Sequence, residues 1–536
     1  MFSWKEFEKL KQILSHMGGS RYRDDWGQHH LTIRPIDLLD WIKFLKEDLG
    51  FFTMTDIASR ADEVVYHLLN MGIHQRLNLH LIVKKGEMIP SVVDYYPHAD
   101  WMEREQAEML NQTFDRARAG LLLPEAQKIY PLKPESEIRD WPAALPSGLP
   151  VLRYNPNKSE PPYPEESYQW KKYGLTSPET LGNFEWLVCF DPVNVVDSKV
   201  EIGFHHQGLE LLLQNKDIFQ ILNLVDKINL SAAPHFSIAW TKAIEEMFRI
   251  KIPERAQALR IVMLELARIA DHLTTLQAIC FYSGLNEYRL FINAREKVYE
   301  LFEKIIGFRH GSGVAKIGGV SEDLPAGWII EYQSVAEILS KNLKLIHNSL
   351  ISQIKFRKQL EGRPVNAQSV LQWGVSGPAM RASGLNFDLR KSQPFYFYQD
   401  IDFDIPVGIH GTGYDRYLIR YEEIFQSLRI ITQVIDNLPL GNIINEDLNK
   451  NYLELSEYFA KLDKPKQWHY SALETPSGEG GFLFSLEKDL TPSRIKIKTP
   501  SFVIAEALPI FVNDLKEEQL STCLASLGLS RWEIDR

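Results

Sequence analysis

Cysteine is scarce in this sequence: its 536 residues include only Cys189, Cys280 and Cys523. No two of them are close enough to form a CxxC pair, so the usual zinc, iron–sulfur and dithiol motifs are absent. An iron–sulfur cluster usually needs four thiolate ligands, which this chain alone cannot supply. We therefore expect the chain by itself to hold no metal and no other cofactor.

Positive charge and long apolar runs are also lacking. The 60 Lys and Arg residues are outnumbered by 70 Asp and Glu residues, whereas a nucleic-acid-binding surface has to be basic. No run of about 18 apolar residues occurs, so no transmembrane segment is predicted. The charged start of the sequence has no signal-peptide core. We expect a cytosolic protein without a nucleic-acid partner, and because GxxxxGK[ST] is absent we expect it not to bind NAD itself.

The sequence divides into three segments of different character. Residues 1–130 mix two patterns: Trp4–Leu14 and Asp37–Leu49 repeat with a helical period, and Leu77–Val83 alternates as in a strand. We expect a small α+β domain here. Residues 131–178 hold ten of the 28 prolines, and because proline fixes φ and removes an amide donor, they are predicted to form an extended linker.

Residues 179–536 are dominated by long helical patterns. Three stretches repeat apolar residues with helical spacing: Glu254–Ser283, Ile338–Ile354 and Tyr414–Leu438. Helices of this length must bury their apolar stripes against one another, which predicts a bundle. Strand patterns come late, at Phe482–Leu486 and Ile495–Lys498. The predicted fold class is α+β: a small α+β domain, then a large, mainly helical-bundle domain with minor β elements.

A few polar side chains have sequence neighbours that are compatible with a functional site. His205 and His206 are adjacent; neutral imidazoles ligate metals or transfer protons, but such a pair also suits an interface loop. Arg268 and His272 lie one helical turn apart, where they would either line a cavity or bond buried carbonyl groups. His310 precedes a glycine-rich turn, for which an interface role is expected.

The stretch Gly374–Gly384 places small, turn-forming residues around Arg381, and Arg390 follows shortly after it. A rigid loop of this kind offers backbone amides and a guanidinium group. It would either hold an anion or dock the backbone of another subunit, and the residues alone do not decide between the two.

Several motifs together resemble one family. In the third segment they are Gly374–Pro394, Phe403–Gly408, Tyr414–Tyr417 and Glu533–Arg536. These resemble the D subunit of the proton-pumping NADH–quinone oxidoreductase, respiratory complex I. Trp101–Glu105 and Tyr130–Leu132 in the first segment resemble the C subunit of the same complex. The chain is therefore similar to a fused C/D chain, with the proline-rich stretch as its seam.

The resemblance implies a place in a multisubunit complex. The D-like module would lie beside a small iron–sulfur subunit that carries the cluster, and a quinone would enter between the two. Membrane-arm subunits would be further partners, on the cytoplasmic side of the inner membrane. The predicted function is that of a peripheral-arm subunit supporting electron transfer from the neighbour towards quinone. We expect Arg268, His272, Arg381 and Arg390 to dock partner subunits.

The D-like module is also similar to the large subunit of membrane-bound nickel–iron hydrogenases. The cysteine positions that hold nickel in those proteins fall near Asn229 and Ala232 and at Ser530 and Glu533. Nickel in such a site needs soft thiolate ligands, so we expect no metal here.

The quinone-binding residues of complex I are mostly replaced. No HPxxHG motif precedes Gly203, and the family's quinone tyrosine corresponds to Leu230, which has no proton to donate. The family's aspartate that orients the quinone-binding histidine falls near Phe281 or Tyr282. The candidate cavity residues that remain are His205, His206, Lys227, His235 and His310. These changes sustain a second hypothesis: a non-catalytic structural or coupling subunit of a hydrogenase-related, ion-translocating membrane complex.

Overall fold

The structure is a computed structural model. It describes residues 20–23, 28–60, 62–116, 120–123, 130–132, 168–462, 468–487 and 489–536. The predicted helix at Trp4–Leu14 and most of the predicted linker lie outside these residues. Among the helices of the described ranges, none combines the length and the apolar character needed to cross a bilayer.

The first part of the chain is a five-stranded sheet with two helices. The strands are β1 Ser20–Arg23, β2 His29–Ile33, β3 Thr53–Ser59, β4 Glu63–Asn70 and β5 Gln75–Ile82. Their order is β1-β2-β5-β4-β3, antiparallel except between β2 and β5. The helices are α1 Leu38–Glu47 and α2 Ala99–Leu110, and a short parallel pair consists of β6 Met88–Ile89 and β7 Thr113–Phe114. The predicted helix at Asp37–Leu49 and strand at Leu77–Val83 are confirmed.

A second sheet follows the linker region. It consists of β8 Gln169–Tyr173, β9 Glu185–Phe190 and β10 Val195–Glu201, in the order β10-β9-β8. Strand β8 lies at the end of the stretch predicted to be an extended, mostly non-helical linker. It pairs antiparallel with β9, and the buried Tyr173 ring contacts Trp186.

The remainder is a helical bundle that packs on a third sheet. Its first helices are α3 Leu209–Gln214, α4 Ile218–Val225, α5 Ala233–Met247, α6 Glu254–Tyr282, α7 Tyr288–Ile306, α8 Trp328–Ile351, α9 Ile354–Leu360 and α10 Ala367–Gln372. They are followed by α11 Gly377–Arg381, α12 Leu389–Ser392, α13 Gly413–Asp436 and α14 Tyr452–Ala460. The last helices are α15 Pro500–Glu506, α16 Leu508–Val512, α17 Leu520–Leu527 and α18 Arg531–Ile534.

The strands of this part form two antiparallel sheets. A short hairpin pairs β11 Ala315–Lys316 with β12 Gly319–Val320. The third sheet is β13 His469–Thr475, β14 Gly478–Leu486 and β15 Pro492–Lys498, in sequence order. The late strand patterns are therefore confirmed as β14 and β15, whereas β13 was not predicted.

Helix α6 forms the centre of the bundle. It packs against α7, α13 and α17, and most of its side chains are buried around its whole circumference. The three predicted long helices are present as α6, α8 and α13. Helix α8 begins ten residues before the predicted start, directly after Gly327, whose left-handed φ of 83° separates it from the preceding loop.

The two ends of the chain share one hydrophobic core. Buried side chains of the first sheet and α1, such as Trp41 and Leu79, belong to the same cluster as Val503 and Leu524 near the C-terminus. The bundle and the third sheet enclose a separate core around α6. The small domain is thus packed into the larger one, and the packing extends across the seam.

Strand β15 reinforces this junction with buried cations. Lys496 forms an ion pair with Glu105 of α2, and Lys498 donates to the carbonyl oxygen of Thr55. From α15, Glu506 accepts a hydrogen bond from the backbone of Trp101 at 2.9 Å. Because a buried charge is tolerated only with a partner, these contacts hold the small domain in one orientation.

The glycine-rich loop at Gly374–Gly384 packs against its own chain. Gly374 (φ 62°) lies against His98 and the carbonyl of Met54 in the small domain. Gly377 (φ 69°) faces the β13–β14 turn so closely that a Cβ atom would lie 2.3 Å from the carbonyl oxygen of Ser477. The loop thus packs against backbone of its own chain, and the two roles considered for it, holding an anion and docking another subunit, stay predictions.

We predict that Gly377→Ala lowers the thermal unfolding midpoint more than Gly327→Ala. Both glycines have left-handed φ angles, which cost an alanine about 1–2 kcal/mol. A Cβ at Gly327 would meet no atom within 4 Å, whereas one at Gly377 would overlap the β13–β14 turn. Equal shifts, measured by thermal unfolding of the two variants, would contradict this packing.

Candidate functional site

Asp535, next to the last residue, bonds to the segment that carries His205 and His206. The carboxylate of Asp535 accepts hydrogen bonds from the backbone amides of Gly203 and His205, each at 2.7 Å. The ring of His206 is 3.2 Å from the backbone carbonyl of Asp535, and the ring of His205 contacts Trp532 edge-on. Both histidines are half-buried.

The four positions that we expect to correspond to nickel-binding cysteines are Asn229, Ala232, Ser530 and Glu533, and hydrogen bonds connect the two halves of this set. Asn229 donates a hydrogen bond of 2.7 Å to Glu533, 304 residues away in the sequence. The other oxygen of Glu533 accepts from the hydroxyl of Ser501 at 2.5 Å, and Ser501 also accepts from the amide of Ser530. Burial raises the pKa of Glu533 to about 7. A carboxyl and a carboxamide bonded to each other are unsuited to a soft metal.

The segment next to Asn229 is exposed and bonded to a third loop. Leu230, which we expect to stand at the position of the family's quinone tyrosine, is 45% exposed, and Lys227 is exposed as well. Asp226 accepts a hydrogen bond of 2.9 Å from the amide of Gly313. That bond holds the loop carrying His310, whose ring is 4.9 Å from that of Tyr299.

These contacts join four segments into one connected unit: residues 203–206, 226–230, 307–313 and 531–536. We call this unit the site strip. It contains His205, His206, Lys227, Leu230 and His310, so the structure brings together all of the candidate cavity residues except His235, along with the tyrosine position. The sequence alone does not reveal this assembly, because its bonds connect residues far apart in the chain.

His235 is the exception, since it lies inside the protein on α5. Its side chain is fully buried, and neither ring nitrogen has a hydrogen-bond partner among the described residues. Burial, with smaller contributions from Arg268 and Arg390, holds the pKa of this ring well below its ordinary value. His235 is therefore a neutral interior group.

A buried ion network lies within the bundle, where α6 and α13 pack together. Its members are Arg268, His272, Arg381, Arg390, Arg420, Glu265, Asp388, Glu423 and Glu474, each with a side chain at most 2% exposed. Arg381 donates to Glu423 at 2.7 Å and to Glu474 at 2.8 Å. Arg390 donates to Asp388 at 2.7 Å and to Glu265 at 3.1 Å.

The network also fixes the protonation state of His272. An arginine can only donate hydrogen bonds, so Nδ1 of His272 accepts from Arg420 at 3.1 Å and carries no proton. The ring proton is therefore on Nε2, which donates it to Glu423 at 2.7 Å. Burial lowers the pKa of His272 to about 4, in agreement with a neutral ring.

The four residues expected to dock partner subunits all belong to this network. Arg268, His272, Arg381 and Arg390 bond to groups of their own chain, and Arg268 donates to the carbonyls of Glu474 and Thr475. The alternative interpretation of Arg268, as a group that satisfies buried carbonyls, is thus confirmed. Direct contact of these side chains with another chain stays a prediction.

The described residues contain no group of three or more His, Cys, Asp or Glu side chains placed to hold a metal ion. The three cysteines are buried and separate from one another. Burial raises the pKa of the Cys280 thiol, which disfavours the thiolate that metals bind.

Comparison with known proteins explains this arrangement. Residues 31–140 match the family described as respiratory-chain NADH dehydrogenase, 30 Kd subunit. Residues 285–536 match the family described as respiratory-chain NADH dehydrogenase, 49 Kd subunit. The NADH-quinone oxidoreductase C/D subunit of Bdellovibrio bacteriovorus is 30% identical over 99% of this chain and 100% of its own length. The chain belongs to the family of NADH-quinone oxidoreductase C/D subunits.

Other C/D subunits are similar over comparable lengths. The protein of Aeromonas hydrophila is 26% identical over 99% of this chain and 96% of its own length. That of a Psychrobacter species is 27% identical, over 93% of this chain and 91% of its own length. The predicted resemblance to a fused C/D chain of complex I and the predicted α+β fold are both confirmed.

Residues 141–284 lie between the two family matches and contain the positions at which we expect departures from the complex I motifs. Where we expect the HPxxHG motif, the chain forms the turn Asp191–Asn194, in which the amide of Asp191 bonds the carbonyl of Asn194 at 2.9 Å. This turn joins β9 directly to β10 and leaves no longer loop there. Leu230, Phe281 and Tyr282 lie in the same unmatched stretch.

We predict that Arg381→Met destabilises the chain by about 3–5 kcal/mol, because it leaves Glu423 and Glu474 buried without their cation. Arg429→Met is the control: Arg429 pairs with Asp402 and Asp404 at the surface, where ion pairs contribute about 0–1 kcal/mol. Denaturant unfolding of both variants measures the difference. A similar effect of the two substitutions would refute the role of the network.

The raised pKa of Glu533 predicts a pH dependence of stability. Its protonated form is favoured in the folded state, so its stabilising contribution is complete below its unfolded pKa. That contribution is lost as the pH rises through about 7. Glu533→Gln removes this loss, so its unfolding midpoint should improve relative to the unsubstituted protein between pH 5 and pH 8. The corresponding gain in the free energy of unfolding should reach about 3 kcal/mol at most.

Thermal unfolding across this pH range measures the effect. Glu337→Gln, on the exposed side of α8, is the control and should show no such trend. A difference between Glu533→Gln and the unsubstituted protein that is independent of pH would show that Glu533 is already ionised in the folded chain.

Proposed function

We propose that this chain is the peripheral-arm subunit at which electrons pass from a neighbouring iron–sulfur subunit towards quinone, and that the site strip is the part of the chain that meets the quinone. The observation that carries the proposal is the strip itself. It gathers exposed Lys227, Leu230 and His310 beside half-buried His205 and His206. The strip contains no cysteine, in keeping with a cluster held by the neighbour.

The residues of the strip have distinct tasks in this proposal. Leu230 and Phe308, both exposed on the site strip, offer apolar surface to a quinone ring. Burial and the nearby Arg295 and Arg309 lower the pKa of His310, so its ring is neutral and can accept or pass a proton. The neighbour's cluster would supply the electrons and a bound quinone would accept them.

The partners proposed are a small iron–sulfur subunit and the membrane arm of the complex, with this chain peripheral on the cytoplasmic side of the inner membrane. Membership of the C/D family supports a multisubunit setting.

A second candidate function is a structural or coupling subunit of a hydrogenase-related, ion-translocating complex that does not reduce quinone. Two observations favour it. Leu230 stands at the tyrosine position, and the β9–β10 turn leaves no room for a histidine loop. Isolation of the intact complex, with identification of its subunits and spectroscopy of its clusters, separates the two candidates. Absence of an iron–sulfur partner would favour the second.

We predict that Leu230→Tyr raises kcat for quinone reduction by the intact complex about tenfold or more over Leu230→Phe. The two variants present rings of similar size, but only the phenol has an O–H that can donate a proton. Both should fold, because the side chain is exposed. Steady-state reduction of quinone by NADH is the measurement.

Leu440→Tyr provides the matched control, since Leu440 is 95% exposed and lies outside the strip. It should leave the rate unchanged. Equal rates for Leu230→Tyr and Leu230→Phe would mean that quinone is not protonated at this position, which would contradict the proposed site.

A further inference from the structure

One exposed face of the bundle combines large apolar side chains with positive charge. It lies where the connection between α6 and α7 meets the second half of α8 and the start of α9. Ser349 and Gln353 donate hydrogen bonds to Glu287 of this connection at 3.1 and 2.7 Å. A Cβ atom at Gly284 would lie 3.0 Å from Nζ of Lys355. We call the exposed side chains of residues 281–290 and 338–358 the basic face.

The apolar side chains of the basic face point to solvent. Phe281 is 53% exposed, Leu345 61% and Ile354 71%. Ile338 and Leu345 are two helical turns apart on α8, and Ser349 follows one turn later, so the three share one side of the helix. The other side of α8 is already packed into the core. Exposed apolar groups that lie together in this way mark an interaction surface.

The same face carries a surplus of positive charge. Residues 338–360 contain neither Asp nor Glu, although the chain has 70 Asp and Glu residues against 60 Lys and Arg residues. The basic side chains of the face, all exposed, are Arg289, Lys341, Lys344, Lys355, Arg357 and Lys358. None of them forms an ion pair among the described residues. The acidic groups at its border are Glu287, Glu337, Glu361 and Glu422.

The mixture of apolar and basic side chains favours an anionic membrane surface as the partner. Lipid headgroups present a layer of negative charge, and apolar side chains such as Phe281 and Ile354 can enter the boundary beneath them. A nucleic acid would leave those side chains without a partner, because its phosphates attract only the cations. An acidic protein is the other occupant, and the test below distinguishes it from lipid.

Helix α7 connects the basic face with the site strip. It begins at Tyr288, whose ring centre is 5.4 Å from that of Phe281. Further along the helix, the ring of Tyr299 is 4.9 Å from that of His310 in the strip. The two tyrosines are about 16 Å apart along the helix axis. Because quinones dissolve in lipid, a site that meets one has to lie near the bilayer, and a membrane contact at the basic face meets this requirement.

We propose that the basic face docks this chain on the anionic surface of the membrane. Phe281, Leu345 and Ile354 lie at the headgroup boundary, and the surrounding lysines and arginines lie against the lipid phosphates. The inference rests on the proposed function, which places the chain peripherally at a membrane, and it names the surface that makes the contact.

Vesicle binding by the full-length chain tests the role of charge. The chain should bind vesicles made of equal parts of phosphatidylcholine and phosphatidylglycerol, and bind vesicles of phosphatidylcholine alone far more weakly. Added salt should weaken the binding, because ions screen exposed charges. The combined substitution Lys341→Gln, Lys355→Gln and Lys358→Gln should lower the partition coefficient about tenfold or more.

A matched control makes the same change of charge elsewhere. Lys43→Gln, Lys84→Gln and Lys251→Gln together replace three exposed lysines outside the basic face. This control should bind the anionic vesicles as the unsubstituted chain does. Equal partition coefficients of the two triple variants would overturn the proposal.

A second pair of variants tests the apolar contact. Ile354→Ser should weaken vesicle binding about fivefold or more, because it removes an aliphatic side chain from the headgroup boundary. Leu440→Ser is its control, since Leu440 is 95% exposed but lies outside the basic face. If both variants bind equally, the apolar side chains do not enter the membrane and the proposal is wrong.

The remaining outcomes separate lipid from protein and docking from electron transfer. If the triple variant of the basic face keeps its vesicle binding but the complex purified with it lacks a subunit, the face docks a protein and the proposal is overturned. If the intact complex does not reduce quinone while the chain binds anionic vesicles through this face, the proposed function fails and the docking stands.

Discussion

The pairing of arginines and carboxylates inside the bundle is the constraint on which the rest of the structure depends. A buried charge without a partner is strongly destabilising, so every element that contributes one must be held in register with the others. Glu265 illustrates this: it accepts from Arg390 of α12, Tyr398 and Ser427 of α13 at 3.1, 2.6 and 2.6 Å. One carboxylate of α6 thereby fixes three distant segments.

The same physical rule joins the two domains. The hydrophobic core that contains Trp41 also contains residues from the end of the chain, and the cations of β15 are neutralised by the small domain. Apolar packing alone would tolerate small rotations of one domain on the other. The buried ion pair of Lys496 with Glu105 does not tolerate such rotations, because a displacement would leave a buried charge without its partner. Arg536 also lies 3.4 Å from Glu105, so the terminal segment of the site strip is attached at this junction as well.

The sequence was informative where a pattern is local. The helical period of Glu254–Ser283 predicts α6 to within a residue, and the alternation of Leu77–Val83 predicts β5, because each pattern depends only on the spacing of apolar residues within one element. The sequence did not reveal which groups Arg381 and Arg390 bond. An arginine beside small residues forms the same sequence pattern whether its partner belongs to another subunit or to its own chain. The partner of Arg390, Glu265, is 125 residues away. Only the resemblance to known families indicated that Asn229 and Glu533 belong together.

Side-chain hydrogen bonds hold the C-terminal segment of the site strip. Asn229 and Glu533 bond to each other, and this hydrogen bond holds the segment against the exposed turn at Leu230. Two residues further on, the two oxygens of Asp535 accept hydrogen bonds from the backbone amides of Gly203 and His205. Arg536 adds its contact with Glu105 of the small domain. The order of the site strip is therefore set by polar side chains of this chain, which bond to segments far away in the sequence.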